Sequence, residues 1–452
     1  RRITAYLHTT DPPVGFRYGY DQVGNRRYEA REHEDGAGDA YEYDAVSQLI
    51  QARYGLEDPQ HGRRESGSEV EYGYDAVGNR TAMTTTDHVV TYTSNSVNEY
   101  EAVDNGVLAY DRNGNLRSMT SQSAAVCAAT GDFDCDADVD VIDISYVAEA
   151  WHASPLAPDR DMDHDNDNDV VDIQIVCAQW TGSVLAAVLP TAQSSTTGFS
   201  ESILLTDTLS IYQYDYRDQL INATEAMTVT RDGQVRSTAV STATFSYDAL
   251  GRRIAKHTAA DAVEYLYDFQ EVIEEREAGS VVAQYVYGPV LDELLQMKRG
   301  EDVIYYHDNG LGSITHVTDE VGDVVEQYTY DVYGQPTIKT EAGLTLTQSA
   351  VGNSYLFTGR TYDAETALYY YRARYYSPGL GRFLQRDPLG YMDGPNLYTY
   401  VQNNPASARD PFGMQDGGKE PSKVERTLRW KVPCPKDQKQ ECEFSVTVKF
   451  EW

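Results

Sequence analysis

Four stretches of this chain obey one formula, Tyr-Asp-x-x-Gly followed by Asn or Arg. They are Tyr20-Asp21 with Gly24-Asn25, Tyr74-Asp75 with Gly78-Asn79, Tyr110-Asp111 with Gly114-Asn115, and Tyr247-Asp248 with Gly251-Arg252. Looser copies stand at Tyr43-Asp44, Tyr214-Asp215, Tyr267-Asp268 and Tyr330-Asp331, the last followed by Gly334. Repetition at this frequency marks an array of small identical units rather than a conventional domain. The formula itself describes a hairpin. Asp caps a turn with its side chain, Gly supplies the positive φ, and short alternating strands such as Tyr18-Gly19-Tyr20 and Glu71-Tyr72-Gly73-Tyr74 flank it. A lone hairpin is marginal in water, so the units must stack edge to edge into a continuous sheet that buries one face. The expectation is a mainly β chain.

Composition agrees. The 36 Tyr outnumber the 34 Gly, while Phe and Trp contribute only 10 and 4, and Tyr suits a pleated, half-buried surface where its ring packs and its hydroxyl finds a partner. The 71 acidic residues against 37 basic give a net charge of −34, which rules out the phosphate-neutralising surface of a general nucleic-acid binder. No window approaches the roughly 20 apolar residues of a membrane span; the most apolar stretch, Val184 to Leu189, ends at Pro190. The chain opens Arg1-Arg2 without Met and reads as a fragment or processed product, with any secretion signal upstream. Five Cys, at 127, 135, 177, 434 and 442, permit two disulfides and one free thiol and suit an oxidising compartment. A secreted or cell-surface location is expected.

Between Asn115 and Ser210 the Tyr-Asp pattern stops. From Gly131 to Asp172 there are 13 Asp and Glu149 against the single basic residue Arg160, a density that repels itself unless cations bridge it. The spacing is that of an EF-hand-type loop, whose oxygens come from positions 1, 3, 5, 7, 9 and 12. Asp132, Asp134, Asp136, Asp138, Asp140 and Asp143 fill those positions once, and Asp161, Asp163, Asp165, Asp167, Asp169 and Asp172 fill them again. Position 7 ordinarily ligates through its carbonyl, so Asp138 and Asp167 need not use their side chains. Position 6, usually Gly, is Ala137 in the first loop and Asn166 in the second, and Asn enters the left-handed region more readily than Ala. Short helical patterns follow each loop, Ile142 to Trp151 and Val171 to Trp180. The pair resembles a dockerin-type module, which implies bound Ca2+ and, in some proteins, a cohesin-like partner. Cys127 and Cys177 either clasp this module or, with Cys135, remain buried thiols.

The repeats resemble the YD repeats of the RHS family, and residues 264–413 resemble that family's repeat-associated core. The landmarks run in order: Tyr305-Tyr306-His307 with Leu311-Gly312-Ser313, Tyr328-Thr329-Tyr330-Asp331, Phe357-Thr358-Gly359-Arg360, Tyr369-Tyr370-Tyr371-Arg372-Ala373-Arg374-Tyr375-Tyr376, Gly381-Arg382-Phe383-Leu384, Asp387-Pro388-Leu389-Gly390, Asn403-Asn404-Pro405 and Asp410-Pro411-Phe412-Gly413. The resemblance implies a spiral β-sheet closing into a hollow, barrel-like shell, plugged by the core, around a variable C-terminal segment that is often a toxin. It also implies self-cleavage just beyond Gly413, near Met414, with Asp387 and Asp410 as the carboxylate pair and Arg374 as a supporting charge. Two adjacent carboxyls sharing a proton can activate water and protonate the leaving nitrogen. On their own, both Asp-Pro-x-Gly motifs also read as plain turns. Met414 stands where Leu is usual in the family, and Asn309 where many members carry Asp. No phosphate loop, serine elbow or zinc spacing is present, and His307 reads as a shell residue bonded between strands.

The chain therefore divides into repeats over 1–120, the metal module over 127–181, a return linker over 182–210, repeats over 211–263, the core over 264–413 and a variable tail over 414–452. The tail carries eight basic and seven acidic residues and alternates from Phe444 to Trp452 as a half-buried strand does. It reads as a hairpin closed by Cys434 and Cys442. Three functions fit: a carrier that encloses its own C-terminal segment as cargo and releases it, an adhesion or carbohydrate-binding surface protein stabilised by calcium, and a toxin acting through its tail.

Overall fold

The computed structural model describes residues 2–3, 14–62, 67–122, 203–231, 234–392, 394–414, 423–434 and 437–451. The twelve aspartates of the two EF-hand-type loops, and the helices expected after them, lie outside the described residues, as do Cys127, Cys135 and Cys177.

Twenty-four strands form one antiparallel sheet in which each strand pairs with the next in sequence, the arrangement expected of stacked hairpins. The turns explain it. In each, the Asp side chain accepts the N–H groups two and four residues on: Asp75 Oδ1 binds Val77 N at 3.0 Å and Asn79 N at 2.8 Å, and Asp21, Asp44, Asp111, Asp215, Asp248 and Asp331 repeat the pattern. The fourth position of the turn takes the positive φ, Gly78 at 82° for example, where the missing Cβ removes the clash. Asn95 and Asn309 build the same turn with an amide oxygen. Tyr267-Asp268 does not. Asp268 is the last residue of strand Ala262–Asp268 and pairs directly with Glu271, with Phe269 at φ 53° in a tight two-residue turn; the five-residue loop that the capping geometry needs is missing.

The Tyr excess has a specific origin. The Tyr of one turn donates its hydroxyl to the carbonyl just past the preceding turn: Tyr43 to Arg26, Tyr74 to Leu49, Tyr214 to Leu116, Tyr247 to Leu220 and Tyr330 to Ile314, at 2.6–2.9 Å. Each repeat is thus pinned to its predecessor, and burial raises these phenols well above their ordinary pKa.

Strands Leu116–Gln122 and Ile203–Tyr214 pair with each other, Gln122 opposite Asp207. The acid-rich segment consequently leaves and re-enters the sheet at one hairpin end. The strand begins at Ile203, so the return linker is shorter than the 182–210 expected, because the β pattern resumes before the first recognisable Tyr-Asp. In the tail, Lys423–Cys434 and Asp437–Glu451 form an antiparallel hairpin. Its register sets Cys442 opposite Val432 and Cys434 opposite Asp437, so the two cysteines are not cross-strand partners, contrary to the expected staple position.

Of the core expected over 264–413 to plug the shell, residues up to Leu346 instead continue the large sheet, and only residues 353–414 form a separate plug docked on it. A four-stranded sheet (Thr361–Asp363, Leu368–Tyr370, Tyr375–Ser377, Arg382–Phe383) carries Tyr369, Tyr376 and Phe383 into the largest core cluster, where Tyr371 and Tyr400 join them from the adjoining loops, all essentially sealed from solvent. Turns from across the array dock onto it. Asn404 binds Asn25, Asn403 binds Gln48 and Gly78 O, Asn396 binds Asn79, and Tyr398 binds Gly114 O. The array also curls onto itself: Tyr18 OH accepts Gly310 N at 2.7 Å, Tyr54 OH accepts Val332 N at 2.9 Å, and the His33 and His316 rings meet at 5.2 Å. His307 Nε2 lies 3.0 Å from Thr318 Oγ1 on the paired strand, the structural role expected of it.

Candidate functional site

Three sequence-predicted residues converge. Arg374 follows strand Leu368–Tyr370 in a short loop, while Asp387 and Asp410 each open an Asp-Pro-x-Gly turn of the plug. Arg374 is buried, with its guanidinium stacked 3.6 Å over the Phe383 ring. Its Nη2 lies 3.0 Å from Asp387 Oδ2 and 3.5 Å from Asp410 Oδ2, so one nitrogen is shared by two carboxylates. Nη1 donates to Leu397 O at 3.0 Å, and Nε donates to Gly413 O at 2.6 Å.

Both aspartates use the turn chemistry of the repeats. Asp410 Oδ1 accepts Phe412 N and Met414 N, each at 3.2 Å, the same two-and-four pattern as Asp75. Asp387 Oδ1 accepts Leu389 N at 2.8 Å, and Gly390 N donates to Asp387 O. The consequence falls on one bond. In the Gly413–Met414 peptide the carbonyl oxygen faces a buried cation and the N–H faces a buried carboxylate. Gly413 sits at φ 66°, and a Cβ there would come within 2.3 Å of Tyr371 O; only glycine fits.

Chemically, a fixed cation at a carbonyl oxygen stabilises the negative charge that develops when that carbonyl is attacked. A carboxyl beside the leaving nitrogen can hand it a proton.

Two further charged residues touch the same turn, and a third holds them from behind. Arg360 and Arg372 both donate to Pro411 O and both pair with Asp292. Burial would raise the Asp292 pKa, but Arg360 and Arg372 hold it below the ordinary carboxylate range. Arg360 and Arg372 stand in recognisable motifs, whereas nothing in the sequence marks Asp292, 80 residues before Arg372. Among the described residues no group of His, Cys, Asp or Glu is arranged to hold a metal ion, and no helix is long and apolar enough to cross a membrane.

No protein-family model matches the chain. Among curated proteins, the tRNA nuclease WapA of Bacillus subtilis is 35% identical over 209 residues, covering 45% of this chain and 8% of that protein. Double-stranded DNA deaminase toxin A of Burkholderia cenocepacia is 30% identical over 270 residues, 50% of this chain and 18% of its own. Toxin subunit YenC1 of Yersinia entomophaga is 31% identical over 213 residues, 42% and 21%. The chain therefore spans about a fifth or less of the curated relatives it matches. The TcdB2-TccC3-TEV crystal structure aligns with 90% of this chain and 20% of that one, at 18% identity and a TM-score of 0.35. Over 42–50% of its length, then, the chain is similar in sequence to segments of these nuclease and toxin proteins.

Proposed function

We infer that this chain is a carrier: a repeat shell closed by a plug, which cuts its own backbone between Gly413 and Met414 and releases the segment beyond. One observation supports this above the rest: Arg374 holds Gly413 O and both carboxylates at once, while Asp410 holds Met414 N. In the proposed reaction Asp387 takes a proton from water, whose oxygen bonds to the Gly413 carbonyl carbon. Negative charge gathers on Gly413 O against Arg374. The C–N bond then breaks as Asp410, which enters the reaction holding the one proton the two carboxyls share, protonates the Met414 nitrogen; the proton Asp387 took from water restores the pair's one proton, and the products are a Gly413 carboxylic acid, which ionises, and a free amine. Activity is toward itself alone.

The toxin and nuclease names of the matched proteins support reading the released segment as toxic cargo, and an extracellular or delivered location with it. Calcium, on the sequence pattern of the twelve aspartates, folds the module inserted at the hairpin end. Intact-mass measurement of purified protein tests the central claim. A fragment beginning at Met414 in the wild type, absent from Asp387→Asn, is the expected result; an unprocessed wild-type chain overturns it.

A further inference from the structure

Three successive carbonyls ahead of the proposed cut all receive donors from the plug. Gly413 O takes Arg374 Nε at 2.6 Å, Phe412 O takes the Ala373 N–H at 3.2 Å, and Pro411 O takes Nη1 of Arg360 at 3.1 Å and Nη1 of Arg372 closer still. One donor is enough for a buried carbonyl, and Pro411 O receives two charged ones, which fill both of its lone pairs. Both arginines are in turn fixed from behind by a single carboxylate: Asp292 Oδ1 meets Arg372 Nη2 at 2.5 Å and pairs with Arg360 Nη2, while Oδ2 lies 3.3 Å from Arg372 Nη1. Asp292 comes from the loop after strand Ser280–Tyr287, not from the plug. Asp292 at φ 66° and Arg372 at φ 65° both occupy the left-handed region that side chains rarely adopt, and such conformations persist only where the surroundings enforce them. The Arg372 guanidinium also lies 5.4 Å from the Phe412 ring centre.

We propose that Asp292, Arg360 and Arg372 form a register clamp: positioning residues that grip the Pro411 carbonyl and thereby determine which peptide bond lies between Arg374 and Asp410. The inference rests on the self-cleavage reading. Its physical basis is the length of the chain step. A slip of one residue moves every backbone atom by about 3.3 Å, more than a hydrogen bond tolerates, so a chain held at Pro411 presents Gly413 O to Arg374 Nε and no other carbonyl of that turn. The clamp is assembled from the repeat array and the plug together, so the grip exists only where the two are docked.

The test uses the whole chain. Arg372→Met, Arg372→Lys, Asp292→Asn and Asp387→Asn are followed by intact mass over time. Arg372→Met and Asp292→Asn are expected to slow cutting roughly 10- to 100-fold, the cost of a misplacement near 1 Å, and to yield additional termini at bonds adjacent to Gly413–Met414. Arg372→Lys, which keeps one charged donor for Pro411 O, is expected to restore a single terminus. Cutting at the wild-type rate with a single terminus in both Arg372→Met and Asp292→Asn overturns the clamp. A second measurement is independent of chemistry: hydrogen exchange in an Asp387→Asn background. Clamp substitutions should accelerate exchange across residues 410–414 while Asp387→Asn alone leaves it slow; unchanged protection also overturns the clamp. A wild-type chain that is never cut would instead reject the self-cleavage reading, and the clamp's hold on residues 410–414 would then stand or fall on exchange.

Discussion

Asp410 is a turn aspartate that has acquired a second neighbour. Its bonds to Phe412 N and Met414 N reproduce those of Asp75 or Asp248 in the repeats; what differs is Arg374 at the glycine carbonyl and Asp387 beside it. The chain contains its own controls, because Asn95 and Asn309 build the same turn with an amide oxygen. Asp410→Asn should therefore keep the turn while removing the proton donor. With two carboxylates on one guanidinium, neutralising either leaves Arg374 paired, so the usual penalty for breaking a buried ion pair does not apply. Both Asp387→Asn and Asp410→Asn are expected to stay whole by intact mass and to unfold in urea within about 1 kcal/mol of wild type. Loss of cutting accompanied by global unfolding would count against the assigned roles.

At the scale of elements, the stitch from Tyr hydroxyl to the preceding turn ought to be measurable singly. Tyr247→Phe removes the bond to Leu220 O and the contact with Tyr375 OH at 3.0 Å, and is expected to cost about 1 kcal/mol in urea unfolding, with a larger effect than the same change at exposed Tyr216. The hairpin array was legible in the sequence because its logic is local: a five-residue turn contains its own cap, its own glycine and its own signature. Where the same turn is built on Asn95 or Asn309, or where Tyr267-Asp268 lacks the loop length, the signature misleads, since the hydrogen bonds follow geometry rather than residue names. The pairing of Arg374 with Asp387 and Asp410 could be expected only through resemblance, and Asp292 not at all, because long-range docking leaves no periodic trace. The inserted acidic segment joins the array at a hairpin end whose flanking strands already pair, Ser118 with Ile211 through Gln122 with Asp207. Chelation is therefore expected to change circular dichroism and protease resistance of the insert while the strands on either side stay protected. Calcium titration with no calorimetric signal in the intact chain would reject the metal assignment.

For the molecule as a whole, closure depends on a seam that dislikes acid. Burial lowers the His307 pKa to about 4, and burial with His33 and His307 nearby lowers that of His316 to about 3, from an ordinary 6.5. The unfolded chain takes up these protons first, so stability is complete above pH 6.5 and is lost as pH falls toward the folded-state values. For His316 the loss amounts to about 2 kcal/mol at pH 5. Asp331 works the other way, its pKa raised to about 6 chiefly by burial, so its contribution is present at acid pH and lost above 6. Comparing wild type with His316→Gln at pH 7.5 and pH 5 isolates the histidine: the variant should lose less stability on acidification, and equal losses would show that His316 is not a determinant. The docking of Asn25, Gln48, Gly78, Asn79 and Gly114 onto residues 396–404 has a bearing on timing. The plug is translated after every turn it binds, so its last turn acquires its surroundings only once the array is complete. On the proposed reading the bond at Gly413 is thereby coupled to assembly, and a cut there would be a receipt that the array was complete before the segment beyond it was set free.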